Sequence, residues 1–344
     1  MTAASYLSDG MSTRFEYPDF VPHPLLTNRH AMTIASSQWP RQLKFAKMTG
    51  EPRRFEVEPG IEVLAHCHWQ PDRRKHPTVI LLHGLEGSSD SPYILGTAEK
   101  AFALGMNALR LNQRNCGGTL HLTPTLYNSG LSSDPLAVIR ELADVDGLGP
   151  FFLAGWSMGG NVVLKAVAEL ADDARALLAG VCAVSPSLDL EPCVQALETG
   201  FNKVYEQWFL KGLKNKLREK SRLYPDLYDP SHLDAINLIR EFDNIYTAPG
   251  GGYGDAANYY KTASALPIMH NISIPTLILQ AKDDPFVPFQ SFLAPQLESP
   301  HITLITPEHG GHCGFLHRSK EGWPFADRFW AENRIISFCT TLGY

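Results

Sequence analysis

Short apolar runs without polar alternation are the feature that most limits how this chain can fold. Such runs are typical of strands that are covered on both faces, as in a parallel sheet. Together with a segment rich in β-formers at 61–69, they predict strands at residues 78–82, 107–111, 151–155, 180–184, 275–280 and 301–305. Helical patterns fall between them, at residues 92–104, 135–142, 158–170 and 324–338. This alternation predicts an α/β fold with a mostly parallel, doubly wound sheet.

The alternation of strands and helices stops between about residues 190 and 271. This segment is aromatic, helix-prone and locally basic, and it predicts a helical cap inserted over the carboxyl edge of the sheet. Open α/β folds place their ligands at that edge. Residues 1–55 have weak periodicity and are expected to form an N-terminal extension packed on the core. The core is then built from residues 56–189 and 272–344.

Composition excludes several classes of protein. The chain has 30 Lys and Arg against 36 Asp and Glu, so it has no overall attraction for nucleic acid or anionic membranes. The longest apolar run, residues 176–184, is far shorter than the ~18 residues that suggest a membrane span. The first residues lack the basic start and apolar stretch of a signal peptide, and the six cysteines have no paired spacing. Reduced thiols and a cytoplasmic location are therefore expected, whereas the oligomeric state does not follow from the sequence.

The sharpest motif is Gly155-Trp156-Ser157-Met158-Gly159, which joins a predicted buried strand to a predicted helix. A serine on such a tight turn is held above the sheet edge, and bulky residues two positions away on either side would clash. The helix that follows points its free N–H groups at the reacting centre. Ser157 is therefore the predicted nucleophile, and the Met158 N–H a predicted donor to an oxyanion.

A serine nucleophile needs a base, and the base needs an orienting acid. In this fold the order along the chain is serine, acid, histidine. Asp284 begins the D-x-x-V-P turn after the strand at 275–280 and is the predicted acid, with Asp283 as the alternative. His312 lies on a glycine-rich loop after the last strand and is the predicted base, with His309 as the second choice. Activity is expected to fall below pH ~6.5 as an unperturbed imidazole becomes protonated.

A second oxyanion donor is expected in the loop after the strand at 78–82. The residues there are His83-Gly84-Leu85, and the Leu85 N–H is the predicted donor, although the segment could also be a simple turn. The two histidines of H-x-x-H with Cys313 could instead suggest a metal site. That interpretation lacks a third and fourth ligand at suitable spacing, so neither a metal nor an organic cofactor is predicted.

Longer motifs extend around these residues, at positions 83–93, 112–118, 123–130, 159–161, 283–286 and 310–315. Together they resemble the YheT-like family of abhydrolase-domain proteins, over roughly residue 20 to the C-terminus. The resemblance implies an α/β-hydrolase fold and a Ser–His–Asp carboxylic ester hydrolase, with the triad at Ser157, Asp284 and His312. Asn115, Thr119 and Trp156 stand where relatives more often carry Gly, Ser and Phe, which leaves substrate size open.

The expected substrate is a small-molecule ester with a short to medium acyl chain. Acylglycerol lipase, thioesterase and amidase activities stay open, as does a non-catalytic binding protein on the same fold. The residues expected near the substrate are His83, Cys116, Trp156, Tyr205 and Trp208. Tyr205 and Trp208 belong to an apolar stripe of the cap that also includes Phe201, Val204, Leu213 and Leu217. The stripe either faces acyl chains or a lipid surface, or it packs on the core.

Overall fold

A computed structural model describes residues 17–322 and 324–343. Its centre is an eight-stranded sheet in the order β1-β2-β4-β3-β5-β6-β7-β8. The strands are β1 Glu51–Glu58, β2 Ile61–His68, β3 Thr78–Leu82, β4 Asn107–Leu111, β5 Phe151–Trp156, β6 Leu178–Val184, β7 Thr276–Leu279 and β8 Ile302–Ile305. The predicted α/β fold is confirmed, and each predicted strand is present within one or two residues of its expected bounds.

The direction of the strands decides where their loops meet. β2 runs antiparallel to both of its neighbours, and all pairs from β4 to β8 are parallel. The carboxyl ends of β3, β5, β7 and β8 therefore open on one edge of the sheet. The segments that follow these four strands hold every predicted catalytic residue.

β1 is a strand that the sequence did not predict. It pairs antiparallel with β2 at the edge of the sheet, from Glu51 opposite Cys67 onwards. Most of its side chains are exposed or half-buried, and Phe55 is its one buried residue. The strand also carries Pro52, which a sheet tolerates at an edge. Because so few of its side chains enter the core, the strand has little apolar pattern in the sequence.

The helices cover both faces of the sheet. Their bounds are α1 Arg29–Gln38, α2 Pro92–Ala103, α3 Ser133–Asp144, α4 Met158–Leu170, α5 Ala174–Leu177, α6 Leu190–Leu197, α7 Lys203–Leu223, α8 Ile239–Phe242, α9 Ala248–Gly250, α10 Ala256–Ala263 and α11 Trp330–Thr341. Apolar side chains of α3 and α4 pack on one face of the sheet, and those of α2 and α11 pack on the other.

The start of the last helix differs from the prediction. It begins at Trp330, not at Pro324. The chain before it pairs with residues 315–317 instead: the His317 N–H donates to the Arg328 carbonyl and the Trp330 N–H to the Phe315 carbonyl. These tertiary hydrogen bonds occupy backbone groups that a longer helix would need.

Residues 190–271, the segment predicted as a cap, contain the helices α6 to α10. Side chains of α6, α7, α8 and α10 line a cavity that also includes Ser157, at the carboxyl end of β5. The 21-residue helix α7 is the longest of them. The predicted apolar stripe begins just before this helix and is buried in one part and exposed in another. Leu213 and Leu217 are buried in a cluster with Met158, whereas Phe201, Val204 and Trp208 are more than half exposed. Within the described residues, no helix has both the length and the apolar character needed to cross a membrane.

Candidate active site

Ser157 occupies the strained turn between β5 and α4. Its backbone has φ of +53° and ψ of −120°, a conformation that non-glycine residues rarely adopt. A Cβ atom at Gly155 would lie 2.2 Å from the Gly159 carbonyl oxygen, and one at Gly159 would lie 2.4 Å from the His83 carbonyl oxygen. Only glycine fits at either position, so the sequence motif is a requirement of this close packing, which is typical of a nucleophile elbow.

The Ser157 hydroxyl contacts an imidazole that is backed by a carboxylate. His312 Nε2 lies 2.9 Å from Ser157 Oγ, and His312 Nδ1 lies 2.9 Å from Asp284 Oδ2. Asp284 is fully buried, and its Oδ1 accepts hydrogen bonds of 3.0 Å from the Phe286 and Val287 N–H groups. The structure thus brings together the three side chains that the sequence predicts as a catalytic triad.

The alternative residues Asp283 and His309 interact with each other instead. Asp283 Oδ2 lies 3.2 Å from His309 Nδ1, and the imidazole is about half exposed. Asp283 Oδ1 also accepts a 2.9 Å hydrogen bond from the Gly311 N–H. Asp283 therefore holds the loop that carries His312, rather than contacting the His312 ring.

Two further hydrogen bonds fix the backbone of the His312 loop. The His312 N–H donates to Thr33 Oγ1 at 2.9 Å, and the Cys313 N–H donates to Ser185 Oγ at 3.0 Å. Thr33 belongs to α1, and its role could not be predicted because this helix lies in the weakly patterned N-terminal extension. Helix α1 thus supports the backbone of the loop that carries His312.

The surroundings of His312 change its affinity for protons. Burial acts to lower the pKa of His312, but the Asp284 carboxylate and the neighbouring Cys313 act to raise it and outweigh burial, so its pKa is raised to about 10. The expectation of an unperturbed imidazole near 6.5 is therefore wrong. A carboxylate 2.9 Å from Nδ1 stabilises the imidazolium that forms when His312 accepts a proton.

Two backbone N–H groups lie close to Ser157. Met158 is the first residue of α4, so its N–H has no partner one turn earlier in the helix. In the loop after β3, a Cβ at Gly84 would approach Ser157 Cβ to 3.1 Å, which places this backbone directly against the serine. Within the described residues, the Leu85 N–H that follows has no hydrogen-bond partner. Leu85 and Met158 both border the cavity at Ser157 and can donate towards an oxyanion there.

A buried ion pair connects this loop to the cap. Glu86 has φ of +58°, and its carboxylate receives a 2.8 Å hydrogen bond from Lys216 of α7 and a 2.6 Å hydrogen bond from the Tyr127 hydroxyl. The Glu86 N–H donates back to the Tyr127 oxygen at 3.2 Å. A side chain at Gly212 would meet the Glu86 carboxylate, so the glycine gives it room beside α7.

Two of the residues expected near the substrate lie elsewhere. His83 is completely buried beneath the loop: Nδ1 contacts the Gly84 carbonyl at 2.8 Å and Nε2 accepts from the Gln113 N–H at 3.1 Å. Burial lowers the pKa of His83 to about 4, which suits a neutral ring with one donor and one acceptor. Cys116 is buried near Lys216, and burial raises the pKa of its thiol to about 11. Neither side chain is among the residues that line the cavities at Ser157.

Two cavities meet at Ser157. The inner cavity, of about 110 Å³, lies under the cap and is lined by residues of α6, α7, α8 and α10. The outer cavity, of about 490 Å³, lies between α1 and the exposed side of α7 and includes His312. Leu85, Phe209 and Phe286 border both. Phe286 follows Asp284 in the same turn and lies against the His312 ring, with 4.1 Å between ring centroids.

The remaining residues expected near the substrate line the outer cavity. Trp156 is buried and packs against Tyr93, with 5.2 Å between ring centroids. Tyr205 contacts His30 through its hydroxyl at 3.3 Å, and Trp208 is largely exposed. All three border the same cavity as His312. As for metal ions, the described ranges contain no group of three or more His, Cys, Asp or Glu residues that could bind one.

Comparison with known proteins identifies the family. Residues 77–319 match the family described as alpha/beta hydrolase fold, so the chain belongs to the α/β-hydrolases. It belongs to their YheT-like branch, because it is 34% identical over 326 residues to the Escherichia coli (strain K12) protein named "Putative esterase YheT". That match covers 94% of this chain and 93% of the relative.

Other relatives and solved structures agree with this placement. Human phospholipase ABHD3 is 30% identical over 74% of this chain and 61% of its own length, and the yeast (Saccharomyces cerevisiae) monoacylglycerol lipase is 28% identical over 75% and 60%. Among solved structures, the Pyrococcus furiosus esterase Pf2001 superposes with a TM-score of 0.55 over 88% of this chain and 98% of its own. At 17% identity, the last likeness concerns the fold alone.

Proposed function

We propose that this protein is a serine esterase that cleaves carboxylic esters through an acyl-enzyme intermediate. The observation that carries the proposal is the hydrogen-bonded series Ser157–His312–Asp284, at 2.9 Å for each link, beside two cavities. Its relatives named as an esterase, a phospholipase and a lipase support an ester as the substrate. Neither metal nor organic cofactor has a role in this reaction.

Each residue has a defined role in the proposed mechanism. His312 Nε2 accepts the Ser157 proton as Oγ attacks the ester carbonyl, and Asp284 holds the imidazole and stabilises its cationic form. The Leu85 and Met158 N–H groups form the oxyanion hole for the tetrahedral intermediate. His312 then gives its proton to the departing alcohol, and afterwards activates the water that releases the acid. In the second half-reaction the water oxygen bonds to the acyl carbon, the acyl–Oγ bond breaks, and His312 returns the proton of the water to Ser157 Oγ.

The two cavities suggest where each half of the ester binds. The departing alcohol must lie within reach of His312, which borders the outer cavity and is not among the residues that line the inner one. The acyl group must keep its carbonyl at the Leu85 and Met158 N–H groups, and both residues border the inner cavity. We therefore assign the acyl chain to the inner cavity and the alcohol to the outer cavity. The small inner volume favours short to medium acyl chains.

Acylglycerol lipase activity at a lipid surface is the second candidate, and a specific observation favours it. Phe201, just before α7, exposes 52% of its surface, Val204 and Trp208 of α7 expose 59% and 62%, and Ile34 of α1 exposes 47%. Ile34, Val204 and Trp208 also border the outer cavity, so this apolar surface surrounds an approach to Ser157. A peripheral contact with aggregated lipid would bury these side chains and present an ester to the cavity.

The proposed function is tested by labelling the serine and measuring turnover. A fluorophosphonate probe should label the wild-type protein and leave Ser157→Ala unlabelled, and the variant should lose nearly all hydrolysis of p-nitrophenyl esters. Acyl lengths from acetyl to palmitoyl, with acyl-CoA and anilide substrates beside them, separate esterase from lipase, thioesterase and amidase activity. Equal labelling of both proteins, or hydrolysis that survives in Ser157→Ala, would rule out Ser157 as the nucleophile.

A further inference from the structure

The residues that line the inner cavity fall into two chemical groups, which we call its two walls. One is apolar and is formed by side chains of α6 and α7 together with Phe286, including Leu190, Val194 and Phe209. The other is polar and carries Asp243, Thr247, Tyr259 and Tyr260. A cavity built only for an alkyl chain has no use for a carboxylate in its wall, because burying a charged group is costly. An alkyl chain as the ligand therefore does not account for the polar wall.

Asp243 is the first residue of a short segment with an uncommon backbone conformation. Residues Asp243–Thr247 form a π-helix between α8 and α9, a rare conformation that is often found at functional sites. Its carboxylate accepts a 2.8 Å hydrogen bond from the Tyr260 hydroxyl and another from Thr247. The nearby guanidinium of Arg240 binds Glu191 and Glu198 instead. A carboxylate has about four acceptor positions, so these two bonds leave capacity for a ligand.

The charge of Asp243 persists near neutral pH. Burial raises the pKa of Asp243 to about 6, while the hydrogen bonds from Thr247 and Tyr260 act in the opposite direction. At pH 7 and above the carboxyl group is therefore mainly ionised and can accept a hydrogen bond from a ligand.

Tyr259 supplies the complementary group on the same wall. Its oxygen accepts a 2.9 Å hydrogen bond from the Ser129 N–H, and within the described residues its hydroxyl proton has no acceptor. The rings of Tyr259 and Tyr260 are neighbours, with 5.3 Å between their centroids. A ligand group that both donates and accepts would satisfy Asp243 and Tyr259 together, and a hydroxyl is the smallest such group.

We propose that the inner cavity selects esters whose acyl chain carries a hydroxyl group, which donates to Asp243 and accepts from Tyr259. The inference rests on the proposed function, because it requires that Ser157 attacks an ester and that the acyl chain of this ester lies in the inner cavity. A plain alkyl chain fills the same space but displaces water from the carboxylate without replacing its hydrogen bond. Sites built to bind a substrate hydroxyl discriminate strongly against analogues that lack it.

The experiment compares matched substrates on the whole protein. The p-nitrophenyl esters of hexanoic, octanoic and decanoic acid are assayed beside their counterparts with a terminal hydroxyl. We expect the wild-type kcat/KM to favour the hydroxylated ester by about tenfold at the length that best reaches the wall. Asp243→Leu should abolish the preference, and Tyr259→Phe should reduce it while keeping the ring. Asp226→Leu, at an exposed position of the same insertion, is the control that should keep it.

Each result decides the question. Hydrolysis of the plain esters with no preference for a hydroxyl at any length overturns this inference and leaves the esterase proposal intact. A preference that persists in both Asp243→Leu and Tyr259→Phe overturns it as well, because the selection then lies elsewhere. Should Asp243→Leu fail to fold, Tyr259→Phe decides alone. Absence of hydrolysis for every ester counts against the proposed function itself, and this inference falls with it.

Discussion

At the scale of single residues, the site depends on a few positions where chemistry and backbone geometry coincide. Ser157 accepts a backbone conformation that costs on the order of 1–3 kcal/mol, and its two flanking glycines are the residues that let the turn close. Asp284 Oδ1 accepts hydrogen bonds from two backbone N–H groups, and Asp284 Oδ2 is the nearer of the two carboxylate oxygens to His312 Nδ1. The carboxylate is thereby fixed before a substrate arrives, which keeps the imidazole in one orientation.

The raised pKa of His312 gives a prediction for the dependence of activity on pH. The base must be neutral to accept the Ser157 proton, so kcat/KM should rise with pH through the pKa of His312 in the free protein. Because Asp284 and Cys313 raise that pKa to about 10, the midpoint should lie clearly above the ordinary value of about 6.5. A pH profile of ester hydrolysis measures it. In Asp284→Asn, which lacks the carboxylate charge, the midpoint should move down as kcat falls. A wild-type midpoint at or below 6.5 would contradict the raised pKa of His312, and a rate that does not change with pH would contradict its role as the base.

At the scale of elements, helix α7 of the predicted cap contacts the loop that follows β3. Helix α7 contributes Lys216, which pairs with Glu86 one residue after the proposed oxyanion donor Leu85. Glu86 is largely buried and has a left-handed backbone, so its position depends on the contacts that hold its carboxylate. The cap thereby helps to position the loop that carries one of the two proposed oxyanion donors.

The role of Lys216 can be tested by removing its charge. In Lys216→Met the Glu86 carboxylate loses its cation, and the loop that carries Leu85 should shift. We expect kcat to fall by about tenfold with a smaller change in KM, since a displaced oxyanion donor affects the transition state more than substrate binding. Lys211→Met, at an exposed position of the same helix, is the matched control. A kcat equal to that of the control would mean that Lys216 does not position the loop.

At the scale of the whole molecule, the site joins segments that are far apart in the sequence. The hydrogen bond from the His312 N–H to Thr33 links residues 279 positions apart, and Ser157 and His312 are separated by 155 positions. Helix α1 of the N-terminal extension thus supports the backbone of His312, the proposed base, and β1 forms one edge of the sheet next to β2.

Replacing Thr33 tests this long-range support. Thr33→Val keeps the shape of the side chain and removes the acceptor of the His312 N–H, a loss of about 1 kcal/mol or more where the group is buried. We expect a several-fold lower kcat/KM, together with a lower rate of fluorophosphonate labelling at Ser157. The control is Thr27→Val, an exposed position just before α1. Unchanged labelling kinetics in Thr33→Val would show that α1 does not support the imidazole.

The sequence by itself determined the mostly parallel sheet, the positions of its central strands along the chain and the motif around Ser157. These are local signals: unbroken apolar runs for buried strands, and glycines where a turn leaves no room for a Cβ. It could not give β1, since a half-exposed edge strand has little apolar pattern, nor the start of α11, which tertiary hydrogen bonds delay to Trp330. Only the tertiary structure decided which imidazole contacts Ser157 and which carboxylate contacts that imidazole, the high pKa of His312, and the polar wall of the inner cavity. Those properties depend on distances and burial between residues that neither spacing nor periodicity along a chain can report.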